Sequence, residues 1–256
     1  MGNIIGIYLS GTGNTKHCIE KLLSLVDKDA KAVALESSEA DEAVRAYDTI
    51  YFGYPIQFSN SPMMVRDFIK KHHNEWDGKH VVCIATMGLF SGDGAGCSAR
   101  LLKKYGAVID GGIHFRMPDS VCDNKALKKT WEQNHKIVVE ADKKIEKVAK
   151  GIKNGKYPKE GLNIFSNVLG LLGQRLWFYS KTKNYSNELK IDTSKCTECG
   201  KCAQVCPMKN IKMCDGKQVT EGKCTMCYRC ISLCPNQAIT LLGKEVAEQC
   251  RYEKYK

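Results

Sequence analysis

Eight cysteines near the carboxyl end of the chain are spaced for inorganic chemistry. They fall in two runs, Cys196-x-x-Cys199-x-x-Cys202-x-x-x-Cys206-Pro207 and Cys224-x-x-Cys227-x-x-Cys230-x-x-x-Cys234-Pro235, 28 residues apart. Lys195 and Lys223, Thr197 and Thr225, and Ile211 and Ile239 match at the same offset, so the segment is an internal repeat. A tight turn with a cysteine at every third position aims three sulfurs at one point, enough to grip three irons of a cube. The fourth cysteine of each run lies one residue too far round to complete that cube. Pro207 and Pro235 fix the backbone behind it and remove an N–H. Zinc sites usually need two cysteine pairs, which leaves the third cysteine of each run unexplained. A disulfide framework suits a small secreted domain, and no secretory signal pattern opens the chain. Eight thiolates at this spacing suit two [4Fe–4S] clusters, and with them one-electron transfer.

A second patch at the amino end is built for a phosphate. Residues 4–9 form a short apolar run suited to a buried parallel strand. Ser10-Gly11-Thr12-Gly13-Asn14-Thr15 follows, then a helical pattern through Ile19, Leu22, Leu23 and Val26. Strand, hydroxyl- and glycine-rich loop, then helix is how a backbone presents N–H groups to a phosphate. The hydroxyls add donors, so a fixed cation is unnecessary. A Walker A loop is excluded, because no Gly-Lys pair stands four residues after a first glycine. The dinucleotide fingerprint is excluded too, because Lys16 stands where its third glycine belongs.

Ser10-x-Thr12-Gly13-Asn14-Thr15 resembles the phosphate loop of flavodoxins, small electron carriers that bind FMN. The resemblance implies a doubly wound α/β fold with a parallel five-stranded sheet. Residues 49–53 read as its third strand, followed by Tyr54-Pro55-Ile56-Gln57-Phe58-Ser59-Asn60-Ser61-Pro62. Residues 80–85 read as its fourth, followed by Thr86-Met87-Gly88-Leu89-Phe90-Ser91-Gly92-Asp93-Gly94. These loops stand where flavodoxin-like proteins hold the isoalloxazine ring, at the carboxyl ends of parallel strands. Tyr54, Phe58 and Phe90 are the candidates to cover the ring. The cysteine runs resemble those of bacterial two-cluster ferredoxins, in which the fourth cysteine crosses to the other cluster. That resemblance implies one cluster on Cys196, Cys199, Cys202 and Cys234, and a second on Cys224, Cys227, Cys230 and Cys206. With both motifs in this order, the chain resembles the fused flavodoxin–ferredoxin proteins of the EFR1 family over residues 1–120 and 190–242.

With 256 residues the length suits two domains, and the hydrophobic share of 43 % is ordinary for globular chains. The expected division is a flavodoxin-like FMN domain over 1–155, a helical connector over 156–189, and a small α+β cluster domain with a tail over 190–256. Cys18, Cys83, Cys97, Cys122, Cys214 and Cys250 show no metal spacing and read as small apolar fillers. Cys97 stands apart, because it opens an expected helix near the flavin loops and a helix start lowers a thiol pKa. So many free thiols point to a reducing cytoplasm.

The net charge of +11 is concentrated in residues 121–190, which carry 15 basic and seven acidic side chains. Cluster and phosphate charges offset part of it, so nucleic acid is a poor reading. The basic stretch suits a solvated helix or a docking face for acidic redox partners. Residues 125–155 read as one long helix with Trp131, Val138, Ala141, Ile145 and Val148 on one face, broken by Gly151, Gly155 and Pro158. Residues 162–179 carry a second stripe of Leu162, Phe165, Leu169, Leu172, Leu176 and Tyr179, widened by Val168 and Leu171. Asn163, Asn167, Gln174 and Arg175 interrupt it, so it is no transmembrane span. A helix docking one domain on the other fits, and so does contact with a membrane surface through Trp177 and Phe178. The six histidines form no ligand set, and no catalytic triad or carboxylate pair is present.

The expected function is electron transfer between the clusters and FMN, which joins one-electron to two-electron redox partners. No second nucleotide fingerprint is present, which favours a carrier between redox proteins. An FMN-dependent reductase of a small acceptor (a quinone, a nitro compound or a corrinoid) is the alternative. A redox-sensing module is the third reading.

Overall fold

Five short strands share one sheet because each of the first four is followed by a helix that carries the chain back to pair in parallel. They are β1 (Ile4–Tyr8), β2 (Lys31–Ala34), β3 (Thr49–Pro55), β4 (His80–Met87) and β5 (Val108–Arg116), in the order β2-β1-β3-β4-β5. Every neighbouring pair is parallel. The chain winds one way from β1 to β2 and the other way from β3 onward. The crevice at the carboxyl ends of β1 and β3 is therefore the switch point at which such sheets bind ligands. The computed structural model of the chain describes residues 3–89, 92–163, 185–215 and 217–256.

Helices cover both faces of the sheet, which is why its central strands are apolar without alternation. Helices α1 (Asn14–Val26) and α5 (Trp131–Lys153) pack on one face, through Ile19, Leu22, Val138, Ala141 and Ile145. Helices α2 (Ser38–Ala46), α3 (Met63–Lys71) and α4 (Ala95–Lys104) pack on the other, through Val44, Val65, Phe68 and Leu102. A capping box starts α5: Gln133 N donates to Thr130 Oγ1, and Thr130 N donates to Gln133 Oε1.

Two readings of this helix are corrected. Gly151 lies inside α5 and does not break it, because burying Ala149 and Ile152 outweighs the ~1 kcal/mol a helical glycine costs. Trp131 does not join the buried face, being 48 % exposed at the first turn. Its indole stacks on His135 and donates to Lys254 O instead.

After α5 the chain returns along β5. Gly112 N donates to Pro158 O and Glu160 N to Gly112 O, while Lys144 and the backbone N–H of His114 hold the Glu160 carboxylate. Leu162 packs against the sheet. The remainder of the apolar stripe expected over 162–179 lies outside the described residues, as do Phe90 and Ser91.

The cysteine-rich part holds two small antiparallel sheets and two short helices. Strand β6 (Lys190–Ile191) pairs with β9 (Ile239–Thr240), and β7 (Ile211–Cys214) with β8 (Lys217–Thr220). Helices α6 (Lys201–Val205) and α7 (Arg229–Leu233) occupy equivalent places in the two halves. The 28-residue repeat reaches the backbone: Glu198, Gly200 and Lys209 have positive φ, and so do Met226, Tyr228 and Gln237. A last short helix, α8 (Tyr252–Tyr255), returns the tail to the first domain. Among the described residues, no helix is long and apolar enough to cross a membrane.

Candidate functional site

The loop after β1 runs directly into the start of α1, and Gly13 turns the corner with φ +93°. The first N–H groups of an α-helix have no partners within it, and they carry the positive end of its dipole. The loop hydroxyls are held in place around that end. Thr12 Oγ1 shares a hydrogen bond with Ser120 Oγ, Thr15 Oγ1 shares one with Thr86 Oγ1, and Asn14 Nδ2 donates to Pro118 O. Ser10 is only 8 % exposed, yet its Oγ has no partner among the described residues. A buried hydroxyl left over beside a helix start fits a phosphate oxygen.

From this loop a cavity of about 250 Å³ extends across the strand ends. Ser10, Gly11, Thr12, Asn14, Thr15, Pro55, Ile56, Gln57, Phe58, Met87, Gly88 and Leu89 all line it. Gly13 turns its Cα toward the tail instead, where Tyr252 stands. Asn60 pairs with Gln57 through two backbone hydrogen bonds, closing a two-residue turn on Phe58 and Ser59. Both turn residues have positive φ, as a type I′ turn demands, and neither is glycine. Phe58 is held by stacking on Tyr185 at 5.7 Å between ring centres. Gly92 is outside the lining but supplies a further positive φ in the loop after β4. Tyr54 is a correction, for it does not face the cavity. It is fully buried on the α4 side of the sheet, with its hydroxyl donating to Gly94 O and Ala95 O. A strand covered on both faces gives no alternation to reveal that direction.

Two stretches in the wall were not expected. One is the turn after β5, Met117 through Val121. It leaves another strand at its carboxyl end, and that rule alone would have nominated it. The other is Met226, Cys227 and Tyr228, which come from the second cysteine run. Their approach depends on long-range docking and has no local signal.

Asp119 brings a carboxyl group into the cavity wall, with Oδ1 accepting from Val121 N. Burial raises its pKa from the ordinary carboxylate value, against the lowering effect of the Val121 N–H. The neutral form is thus favoured in the fold, and its stabilising effect is full below the unfolded value of 3.8. The effect is lost as pH rises through the raised folded value. Asp119→Asn should therefore melt higher than the unchanged protein at pH 7 and converge with it near pH 4, in parallel thermal scans. Equal melting temperatures at both pH values would refute this.

The cysteines border two further cavities of about 20 Å³ each. Cys196, Cys199, Cys202 and Cys234 line one, and Cys206, Cys224, Cys227 and Cys230 line the other. The fourth cysteine of each run thus stands with the first three of the other. Backbone N–H groups point at the sulfurs in matched pairs: Glu198 N to Cys196 Sγ and Met226 N to Cys224 Sγ, then Asn210 N to Cys206 Sγ and Ala238 N to Cys234 Sγ. Donors of this kind stabilise thiolates and tune the potential of a cluster. Burial raises the thiols of Cys202, Cys224 and Cys230 and lifts Cys227 to about 12. A multinuclear cation offsets that cost by binding them deprotonated. Among the described residues, no three His, Cys, Asp or Glu side chains are grouped for a single metal ion.

Cys227 and Tyr228 line both the large cavity and the second cysteine cavity, so one short stretch of backbone separates the two sites. Side chains from both domains hold it there. Gln57 Nε2 donates to Thr225 O and Met226 O at 2.7 and 3.1 Å. Arg229 donates to Ser10 O at 2.8 Å, pairs with Glu36 at 2.6 Å and reaches Val205 O. Among the described residues, those that line the cavity around Cys199 all come from 191–239, and Cys199 itself is exposed.

Residues 5–107 match the family model described as a flavodoxin domain, and residues 188–236 match the one described as a 4Fe-4S dicluster domain. No curated protein matches the chain. Among solved structures, two-electron reduced Megasphaera elsdenii flavodoxin is 24 % identical, covering 57 % of this chain and 98 % of its own, at a TM-score of 0.42. Fusobacterium nucleatum flavodoxin bound to flavin mononucleotide is 14 % identical, with coverages of 60 % and 98 % and a TM-score of 0.42. A WrbA-like flavodoxin from Agrobacterium tumefaciens is 18 % identical, with coverages of 61 % and 100 % and a TM-score of 0.40. The chain thus joins a flavodoxin-like domain to a 4Fe-4S domain, a pairing of flavin and iron–sulfur electron-transfer modules.

Proposed function

We propose that this chain is an electron-transfer protein that carries one FMN and two [4Fe–4S] clusters and links one-electron to two-electron redox partners. The observation that carries the reading is the shared wall, because Cys227 borders both the cysteine cavity and the cavity at the switch point. When bound, FMN supplies a carrier that takes up electrons in pairs and releases them singly, while each cluster handles one. The chain's own residues set the order. Cys206, Cys224, Cys227 and Cys230 hold the inner cluster against the flavin site, and Cys196, Cys199, Cys202 and Cys234 hold the outer one. The outer position, with its exposed Cys199, is the side on which a redox protein docks in this proposal. Ser10, Thr12, Thr15 and the start of α1 hold the phosphate, and the Gln57–Asn60 turn and Met87–Leu89 flank the ring. The two halves in this order support membership of the fused flavodoxin–ferredoxin EFR1 family, working in a reducing cytoplasm. The alternative, an FMN-dependent reductase of a small acceptor, draws on one feature: Leu89 is 65 % exposed at the edge of the cavity.

Cofactor counts on anaerobically purified protein test the proposal, with about eight irons, eight sulfides and one FMN expected per chain. Thr12→Val with Thr15→Val should weaken FMN roughly 10- to 100-fold, as losing hydrogen bonds to a charged group does, and leave iron and sulfide unchanged. Flavin content that survives the double change would remove the phosphate assignment.

A further inference from the structure

Two cysteines outside the cluster runs meet where the first domain, the cluster domain and the tail come together. Cys122 lies on the segment after β5 and is fully buried; Cys250 lies six residues from the carboxyl end and is 3 % exposed. The Cys250 thiol reaches back to the carbonyl oxygen of Val121, the residue next to Cys122, at 3.9 Å. Around them, Ser232 Oγ lies 3.4 Å from Cys122 Sγ and donates to Cys250 O, while Ala247 N and Glu248 N donate to Cys122 O. The Lys128 ammonium sits 2.9 Å from Cys250 Sγ and also donates to Val121 O. Among the described residues this is a buried thiol pair with its own cation, 128 positions apart in sequence.

From this juxtaposition we infer that Cys122 and Cys250 form an oxidisable pair, whose disulfide fastens the tail to the first domain. The two sulfurs have unequal roles. The neighbouring Cys122 thiol and the Lys128 ammonium lower the Cys250 pKa, whereas the neighbouring Cys250 thiol and burial raise that of Cys122. Cys250 is thus the thiolate nucleophile and Cys122 the resolving thiol.

With hydrogen peroxide as the oxidant, the Cys250 thiolate attacks one peroxide oxygen. An S–O bond forms, the O–O bond breaks and hydroxide leaves. The Cys122 sulfur then attacks the sulfenic sulfur; the S–S bond forms, the S–O bond breaks, and the departing oxygen leaves as water with the Cys122 proton. Two electrons pass from the sulfurs to the peroxide, which becomes water and hydroxide.

The bond would act on the loop at the start of α1. Two residues beyond Cys250, Tyr252 N donates to Thr12 O at 2.8 Å and its ring stacks on His17 at 4.1 Å. Tyr252 also stands where a side chain at Gly13 would go. The tail is therefore the outer cover of that loop, and a disulfide beside Tyr252 holds the cover down.

The test uses anaerobic holoprotein given one equivalent of hydrogen peroxide, with visible absorbance followed to show that the clusters stay intact. Peptide mass spectrometry should find Cys122 joined to Cys250. Hydrogen exchange over residues 251–256 should then slow roughly tenfold, as tethering suppresses local opening. In Cys122→Ser, dimedone should trap the sulfenic acid on Cys250; in Lys128→Met, disulfide formation should slow roughly tenfold as thiolate is lost. The inference is overturned by peroxide consuming cluster ligands while both thiols remain alkylatable, by dimedone on Cys122 in Cys250→Ser but none on Cys250 in Cys122→Ser, or by a disulfide that leaves tail exchange unchanged. None of these readouts depends on flavin content.

Discussion

Gly11→Ala should uncouple the two halves of the protein where backbone meets backbone. A Cβ on Gly11 would lie 1.7 Å from the carbonyl oxygen of Cys227 and 2.7 Å from its carbon, far inside any tolerable contact. Both obstacles are main chain, so no rotamer change relieves them, and Gln57 and Arg229 hold that main chain from either side. The Thr225–Arg229 stretch must move off the phosphate loop. Overpacking of this kind costs about 1–3 kcal/mol of stability, which urea unfolding will report. The larger effect is on exchange between the sites. Because Cys227 is the shared wall, electron exchange should slow by roughly tenfold or more, equivalent to a barrier about 1.4 kcal/mol higher. Iron and sulfide contents should stay the same, since no cysteine changes. An unaltered exchange rate in Gly11→Ala would show that the route lies elsewhere.

Asp123→Ala should detach the cluster domain more severely. Asp123 is 5 % exposed, and its Oδ2 accepts from the N–H groups of Leu241, Leu242 and Gly243 at 2.6, 2.9 and 3.1 Å. Its Oδ1 accepts from the Tyr228 hydroxyl at 3.0 Å. One carboxylate therefore serves four donors of the other domain, and Tyr228 is itself in the cavity wall. Removing it leaves buried donors without partners, at a cost of about 3 kcal/mol or more. The urea midpoint should fall accordingly, and protease should cut between the domains. Tyr228→Phe removes one of the four bonds and should cost about 1 kcal/mol. Gly243→Ala strikes the same contact from the opposite side, because its Cβ would lie 1.9 Å from Asp123 O. If Asp123→Ala unfolds like the unchanged protein while Gly243→Ala is also silent, the latch contributes nothing.

The inorganic part of this protein was legible because its geometry is local. Cysteines three apart on a tight turn must converge whatever the rest of the chain does, and the repeat carries even the positive φ of Glu198 and Met226. The arrangement of β1, loop and α1 was legible for the same reason: a strand, a glycine-rich turn and a helix start are consecutive. The positions of β1, β3 and β4 followed from their apolar runs, whereas the inward direction of Tyr54 did not, because a strand buried on both faces has no polar side. Periodicity places Trp131 on the buried stripe, and it escapes because the tail supplies Lys254 O to its indole outside the core.

What the pattern could not show was which parts of the two domains meet. Asp123 stands in the basic stretch with no local pattern to mark it, and Met117–Val121 follows the end of β5. Tyr252 and Tyr255 stand among charged residues, and Tyr255 is 2 % exposed. Each of these draws its role from residues about 100 or more positions away, through contacts that no window along the sequence contains.

Rapid mixing of the anaerobic, fully loaded protein with a one-electron donor, followed at flavin and cluster wavelengths together, tests the shared-wall route most directly. The route requires cluster bleaching to be followed by flavin reduction within the same molecule, at a rate independent of protein concentration and slowed in Gly11→Ala. Bleached clusters beside a flavin spectrum that never changes, or a flavin rate that rises in proportion to protein concentration, would contradict it.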